Sequence, residues 1–341
     1  MRFIDLFAGV GGFHYGIQKM ETQSEDSTNN TGATPQHRER AFHCVYSNEY
    51  DKYANSVYRK HFGKCDDRDV RTVATNEIPD HDLLCAGFPC QAFSVAGKRR
   101  GFEDTRGTLF FEIARIATEK RPRYLLLENV KGLLSHDNGK TFQTILGVLT
   151  DLGYECEWQV LNSKHFGVPQ NRERVFIVGH LRGECSGKVF PVGENNQAFA
   201  KELTKNVSQV DRVYSAKGVS PTIPTSGGGR HEPKIGISVD RGVLKEKGIA
   251  NTIDANYHKG LDNHQARTEV MQDVRIRRLT PKECERLQGF PDDWTKYGAD
   301  GEEMSDTQRY KMMGNAVTAN VITAIINKLV VNPTESEESD E

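Results

Sequence analysis

Two side chains at the ends of apolar runs are suited to nucleophilic and acid–base chemistry. Cys90 follows the run at 82–86 in a polar, glycine-flanked loop, a setting that favours a candidate nucleophile over an inert core thiol. Glu128 ends the run at 124–127, where a carboxylate is costly to bury unless it is paired or protonated. It is therefore a candidate general acid, and the alternative is a salt-bridged or helix-capping glutamate.

A pair of arginines precedes the apolar run at 174–178. Arg172 and Arg174 stand two residues apart, so on an extended chain their side chains project from one face. Two guanidinium groups there could support Glu128 and bind a phosphate or a base oxygen. For either arginine alone, an exposed basic strand end is the alternative.

A glycine-rich turn at 7–12 joins a predicted strand to a predicted helix. Glycine lets the backbone approach a ligand at the N-terminus of a helix. His14 occupies the position of the third glycine of a dinucleotide fingerprint, which argues against a nicotinamide dehydrogenase. Glu49 ends the second predicted strand, where its carboxylate could hold a ribose diol. A structural turn and a surface glutamate are the alternative.

These residues lie in a region, 1–180, that alternates strand-like and helix-like segments. Short apolar runs separated by helical patterns favour an α/β fold with a mainly parallel sheet. The predicted strands are 2–7, 42–47, 82–86, 124–127 and 174–178, and the predicted helices are 11–19, 50–61, 108–119 and 141–152.

Composition divides the rest of the chain. Residues 21–40, rich in Thr, Ser, Asn and Gln, are predicted to be a disordered surface insertion. Residues 185–278, punctuated by Gly, Pro and Ser, are predicted to form a separate loop-rich β domain. Capping patterns predict a helical hinge at 279–313, followed by a last apolar helix over 316–331 and a solvated acidic tail at 332–341.

The charge of the chain is nearly balanced but unevenly distributed. Lys plus Arg number 45 against 47 Asp plus Glu, whereas residues 185–278 hold 15 basic and 10 acidic residues. That local excess is compatible with nucleic-acid contact. No apolar run approaches the roughly 18 residues of a membrane span, and the start is too short and glycine-rich for a signal peptide. A cytoplasmic protein is predicted, with its seven cysteines reduced and no metal site.

Six motifs in order resemble those of the DNA (cytosine-5) methyltransferase family: DLFAGVGGF, GFPCQAFS, ENVKGL, QNRER, RLTPKECERLQGFP and GNAV. Two further stretches, VYSNEYDKYANSVYRKHFG and GKRRGFEDTRGTLFFEIARI, are similar to the small bacterial restriction–modification enzymes. The resemblance covers nearly the whole chain. The departures from it are the 21–40 insertion and the acidic tail, and neither interrupts a motif.

The resemblance implies a Rossmann-like, S-adenosyl-L-methionine-dependent methyltransferase domain formed by 1–184 and 314–331, with a target-recognition domain at 185–278. Such an enzyme flips a cytosine out of double-stranded DNA. The thiolate of the family's catalytic cysteine adds to C6 of the base, after which C5 accepts the methyl group.

The resemblance also assigns site residues. Cys90 would be the nucleophile, Glu128 the acid at ring nitrogen 3, Arg174 an assistant at the base, and Arg172 a support for the loop that closes over it. The implied cofactor residues are Phe7, Ala8, Gly9, Gly11, Gly12, Glu49 at the ribose, Tyr50 on the adenine ring, Asp69, Val70, Pro89, Leu109 and Asn315. Candidate DNA contacts in the basic segment are Arg230, His231, Lys259 and Arg267.

Other function classes stay open beside this one. A methyltransferase-like protein that binds DNA without turnover is disfavoured by the intact motifs. A tRNA cytosine-5 methyltransferase is disfavoured by the sizeable basic domain at 185–278. For the leading hypothesis we expect a monomer that acts on nucleoid DNA and pairs functionally with a restriction endonuclease. The base that removes the C5 proton and the DNA recognition sequence are not fixed by the residues.

Overall fold

The computed structural model describes residues 1–28, 41–89, 109–184, 187–193, 213–215, 220–221, 234–238 and 274–331. Its main sheet has six strands in the order β2-β1-β3-β4-β7-β5. They are β1 (Arg2–Leu6), β2 (His43–Asn48), β3 (Leu83–Gly87), β4 (Tyr124–Val130), β5 (Tyr154–Asn162) and β7 (Glu173–Leu181). The short strand β6 (Gln170–Asn171) pairs instead with β9 (Ser220–Pro221).

The direction of the strands confirms a mixed, mostly parallel sheet. Strands β1 to β4 pair in parallel, whereas β7 runs antiparallel to both β4 and β5. The sequence analysis did not predict β5. This strand lies at the edge of the sheet and pairs only with β7 in that sheet. Its polar and half-buried residues therefore lack the continuous apolar run that marks the central strands.

Seven α-helices accompany the strands in the described ranges: α1 (Gly12–Thr28), α2 (Lys52–Phe62), α3 (Leu109–Lys120), α4 (Lys140–Asp151), α5 (Pro281–Leu287), α6 (Asp306–Asn315) and α7 (Ala319–Val331). Helices α3 and α4 pack on one face of the sheet, where they bury residues such as Leu125. Helices α1 and α7 pack on the other, where they bury residues such as Leu126. Neighbouring residues of one strand thus enter different cores, which explains the continuous apolar runs.

The first helix is longer than predicted. It continues to Thr28, whereas the sequence analysis ended it near Lys19 and expected a disordered insertion from residue 21. Residues 21–28 are therefore helical, and 29–40 lie outside the described residues. The side chain of Glu21 accepts a hydrogen bond from the backbone N–H of Phe42 at 2.8 Å, which ties this polar segment to the start of β2.

Four strands of the 185–278 segment are described: β9, which pairs with β6, and β8 (Val213–Ser215), β10 (Lys234–Ser238) and β11 (Val274–Arg278). The last three form a small sheet in the order β11-β10-β8. The rest of the expected recognition domain, with the four candidate DNA contacts, lies outside the described residues, so that domain stays a prediction. Within the part of the chain that the structure describes, no helix is long and apolar enough to cross a lipid bilayer.

The helical connector begins with the predicted capping box. Thr280 accepts a hydrogen bond from the backbone N–H of Glu283, and the Glu283 carboxylate accepts one from the backbone N–H of Thr280. This confirms where α5 starts. The start of α6 is confirmed as well, because the Ser305 hydroxyl accepts from the backbone N–H of Gln308.

A buried ion pair joins these two helices. Glu285 is fully buried, and its Oε1 lies 3.0 Å from Nη2 of Arg309, whose side chain is only 9% exposed. The same oxygen accepts the backbone N–H of Thr295 at 2.9 Å. Because both charges are removed from water, each depends on the other for compensation.

Replacing Glu285 with glutamine is therefore expected to lower the free energy of unfolding by about 3 kcal/mol, because the Arg309 guanidinium stays buried without its main countercharge. Urea denaturation measures the loss. The matched control is Arg286→Ala: this side chain is 61% exposed and pairs with Asp292, so solvent screens the pair and we expect a much smaller loss than for Glu285. Equal losses in the two variants would contradict the prediction.

Candidate active site

A cavity of about 330 Å³ opens where the carboxyl ends of β1, β3 and β4 meet. This is the edge at which α/β sheets bind ligands, and the volume is sufficient for a small molecule. The sequence-predicted residues that line it are Phe7, Gly9, Glu49, Pro89, Glu128, Arg172, Arg174 and Asn315. The structure thus brings candidate catalytic residues and candidate cofactor residues into one cavity.

Glu128 lies on β4 with its side chain only 12% exposed. Its Oε1 lies 3.0 Å from Nε of Arg174. Strand β7 runs antiparallel to β4, so the first residues of β7 lie beside the last residues of β4 and the two side chains meet. Burial raises the pKa of the Glu128 carboxyl, and the positive charges of Arg174 and Arg172 oppose that rise. The carboxyl can therefore hold a proton at a higher pH than an exposed glutamate.

Arg172 is buried, with 2% of its surface exposed. Its Nη2 donates hydrogen bonds to the carbonyl oxygens of Gly314 and Ala316, both at 2.9 Å. Burial and the nearby charge of Arg174 lower the pKa of Arg172 to about 9, against the attraction of Glu128. The guanidinium is still positively charged at neutral pH.

Asn129, which sequence reasoning passed over beside Glu128, connects β4 to the segment before Cys90. Its side-chain amide donates to the carbonyl oxygen of Phe88 at 2.8 Å, and its side-chain oxygen accepts the backbone N–H of Val130. The asparagine is 2% exposed, so these bonds form away from bulk water. Cys90 itself lies outside the described residues, and its role stays a prediction.

Glu49 forms the opposite end of the cavity. Its Oε2 accepts the backbone N–H of Gly9 at 2.8 Å, and its Oε1 accepts the backbone N–H of Asp51 at 2.7 Å. Burial raises the pKa of Glu49, and these two hydrogen bonds oppose the rise. Gly9 has a φ of +56°, a conformation that side chains disfavour, and among the described residues, its two chain neighbours aside, no atom comes within 4 Å of the place where its Cβ would be. The glycine turn therefore leaves open space beside Glu49.

Two further residues of the cavity wall were missed by the sequence analysis. Asp51 caps α2 by accepting the backbone N–H groups of Tyr53 and Ala54, and Nζ of Lys311 lies 2.7 Å from its Oδ2. Burial would raise the pKa of Asp51, but the hydrogen bonds from Lys311 and Ala54 outweigh that effect and lower it. An acidic residue before a helix does predict the cap. No sequence pattern pairs residues 260 positions apart.

The other residues of the glycine turn serve its packing. A Cβ on Gly12 would lie 2.5 Å from Cγ1 of Val317, and one on Gly11 would lie 2.1 Å from the Phe62 ring. The backbone N–H of Ala8 donates to the carbonyl of Asn48 at 3.0 Å. Ala8, Gly11 and Gly12 thus fit the turn against its neighbours, and none of the three lines the cavity.

The remaining predicted cofactor residues also lie outside the cavity lining. Tyr50, beside Glu49, is 72% exposed, whereas Val70 is buried. Asp69 caps the short turn that starts at Val70, and its carboxylate pairs with Arg71. Leu109 is the half-buried first residue of α3. In the described ranges, no group of three or more His, Cys, Asp or Glu side chains is placed to hold a metal ion.

The chain is similar in sequence to known type II methyltransferases. The type II methyltransferase M.HhaI of Haemophilus parahaemolyticus is 37% identical over 339 residues, which cover 95% of this chain and 93% of that protein. The type II methyltransferase M.HpaII of Haemophilus parainfluenzae is 38% identical over 354 residues, covering 96% and 88%.

The fold has counterparts among solved structures. The Dnmt2 methyltransferase of S. pombe superposes with a TM-score of 0.63 at 18% identity, over 97% of this chain and 98% of that one. The family model for C-5 cytosine-specific DNA methylase matches residues 1–331. The chain, with its acid–arginine cluster and glycine turn around one cavity, belongs to the C-5 cytosine-specific DNA methylase family.

Proposed function

We propose that the protein is a site-specific DNA cytosine-5 methyltransferase that uses S-adenosyl-L-methionine. The observation that carries this proposal is the largely buried Glu128–Arg174 pair in the same cavity as Glu49 and Gly9. The cavity can thus accept a base at one end and a nucleoside at the other. The names of the relatives as type II methyltransferases further support a role in protecting DNA from a cognate restriction endonuclease.

The residues at the Glu49 end fit the proposed cofactor. Each Glu49 oxygen accepts one backbone hydrogen bond, and a carboxylate oxygen has a second lone pair, which can accept a ribose hydroxyl. The exposed ring of Tyr50 is available to pack on the adenine ring of the cofactor. The space beside Gly9 and Asn315 can hold the rest of the cofactor. When bound, S-adenosyl-L-methionine supplies an electrophilic methyl group on a sulfonium sulfur.

At the other end, the residues of the chain make the cytosine reactive. The Cys90 thiolate forms a bond to C6 of the flipped base, and the charge that develops on the ring is neutralised when Glu128 gives its proton to N3. C5 then has the character of an enamine carbon and would take the methyl group from bound S-adenosyl-L-methionine, with S-adenosyl-L-homocysteine as the leaving group. Loss of the C5 proton to a base expels the Cys90 thiolate, and the proton on N3 returns to Glu128. Arg174 holds Glu128 in place and can donate to an oxygen of the base.

For the DNA itself, we propose that the basic 185–278 segment is the target-recognition domain. Its candidate contacts are Arg230, His231, Lys259 and Arg267, whose positive charge suits phosphate and base-edge contacts. We propose a monomer that acts on nucleoid DNA in the cytoplasm.

The proposal predicts that the protein transfers labelled methyl groups from S-adenosyl-L-methionine to unmethylated genomic DNA. Bisulfite sequencing should then show protected cytosines in one short motif. Cys90→Ser is the control: it should bind the cofactor as the wild type does and transfer no methyl group. Incorporation of label into tRNA instead of DNA would indicate a tRNA cytosine-5 methyltransferase. Cofactor binding without transfer to either substrate would indicate a protein that binds DNA without turnover.

Glu128→Gln should slow the single-turnover methylation rate by about 10²- to 10⁴-fold, because a positioned acid is lost, while the affinity for DNA changes little. The wild-type rate should fall as the pH rises past the raised pKa of Glu128, since the carboxyl then loses its proton. The variant should lack this alkaline decline. Measuring both profiles under single-turnover conditions tests the acid role, and two profiles of the same shape would contradict it.

The proposal also predicts selective alkylation of Cys90. Five other cysteines are described, and burial raises their pKa: to about 12 for Cys44, Cys65, Cys156 and Cys284, and well above its ordinary value for Cys85. Because the thiolate is the reactive form, iodoacetamide at pH 7.5 should modify Cys90 before these five, and activity should fall in step. Peptide mapping by mass spectrometry measures the order. Earlier modification of the half-buried Cys44 or Cys65 would contradict the prediction.

A further inference from the structure

We propose that Arg172 is a positioning residue for the cofactor: its buried guanidinium caps the C-terminus of α6 and so holds Asn315 at the cavity. This inference rests on the proposed function, because it assigns Arg172 to the affinity for S-adenosyl-L-methionine. It differs from the expectation that Arg172 supports a loop over the base.

Two hydrogen bonds from Nη2 of Arg172 lie at the C-terminus of a helix. Helix α6 ends at Asn315, and the last carbonyl groups of a helix lack partners within it and carry partial negative charge. Nη2 of Arg172 donates to the carbonyls of Gly314 and Ala316, one on each side of Asn315. A charged donor buried against two such carbonyls makes stronger hydrogen bonds than a neutral one.

The segment around Asn315 is held at other points as well. The side-chain amide of the fully buried Gln288 donates to the carbonyl of Met313 at 2.7 Å. One helical turn earlier, Lys311 is paired with Asp51 beside Glu49. Arg172, two residues before Arg174, thus links the backbone on both sides of Asn315 to the start of β7.

The neighbouring arginine has different contacts. Arg174 pairs with Glu128 and donates through Nη1 to the carbonyl of Glu173. Although the two arginines are only two residues apart, their side chains have different partners. Arg172 contacts the end of α6, and Arg174 contacts the candidate acid Glu128. Substitution of each should consequently affect a different measurable quantity.

The test compares Arg172→Lys with Arg174→Lys, which both keep the positive charge and lose the guanidinium geometry. For Arg172→Lys we expect the dissociation constant of S-adenosyl-L-methionine, measured by calorimetry without DNA, to rise about tenfold or more. Its single-turnover rate at saturating cofactor should stay within about threefold of wild type. For Arg174→Lys we expect the reverse: a dissociation constant within about threefold and a rate lowered at least about a hundredfold.

A second pair of variants tests whether Arg172 acts through Asn315. Asn315 is exposed, so Asn315→Ala should fold, and it should also weaken cofactor binding. In the double variant the loss of binding free energy for the cofactor should be smaller than the sum of the losses in the two single variants, because both substitutions remove parts of one interaction. If Arg172→Lys does not fold, Asn315→Ala still tests the proposal, because an unchanged dissociation constant of S-adenosyl-L-methionine in that variant would overturn it.

The wild-type measurements separate this inference from the proposed function. Absence of cofactor binding by the folded wild-type protein would refute the function on which the inference rests. Normal binding and methylation by the wild type, with an Arg172→Lys variant that loses rate but keeps its affinity, would refute the inference alone. Fully additive losses for Arg172 and Asn315 would also refute it.

Discussion

Three ionisable groups, Glu128, Arg172 and Arg174, are withdrawn from water at one edge of the sheet. Burying a single charge costs several kcal/mol, and the cost is offset only where opposite charges and hydrogen-bond acceptors surround it. Here the carboxyl pairs with Arg174, while Nη2 of Arg172 donates to two main-chain carbonyls. The geometry of the cavity depends on this arrangement, since displacing Glu128 or Arg174 removes the countercharge of the other, and displacing Arg172 removes the donor at the end of α6.

The antiparallel direction of β7 makes this cluster possible. In a fully parallel sheet, the N-terminal residues of a strand lie at the edge opposite to the carboxyl ends of its neighbours. Because β7 is reversed, its first residues meet the last residues of β4, and Arg174 lies opposite Val130. Because β7 is reversed, its basic side chains lie at the same edge of the sheet as Glu128 and the glycine turn, which follow from the parallel strands.

The sequence alone predicts the parts of this structure that follow from local patterns. The central strands, the capping box at Thr280 and the placement of Glu49 and Glu128 at strand ends are of this kind. It does not predict β5, whose edge position permits an irregular pattern, or the continuation of α1 to Thr28. Contacts between distant residues, such as Lys311 with Asp51, are equally hidden, because they exist only once the chain has folded.

Two short segments, one at Glu128 and one at Arg174, each contact both the candidate acid site and a neighbouring part of the cavity. Asn129 is the next residue after Glu128 and holds the carbonyl of Phe88, just before Cys90. Arg172 stands two residues from Arg174 and holds the carbonyls on both sides of Asn315. The base side and the cofactor side are thus connected through short, buried hydrogen bonds to the backbone. Since buried bonds of this kind tolerate little displacement, the candidate acid Glu128, the segment before Cys90 and the segment around Asn315 must keep their spacing together.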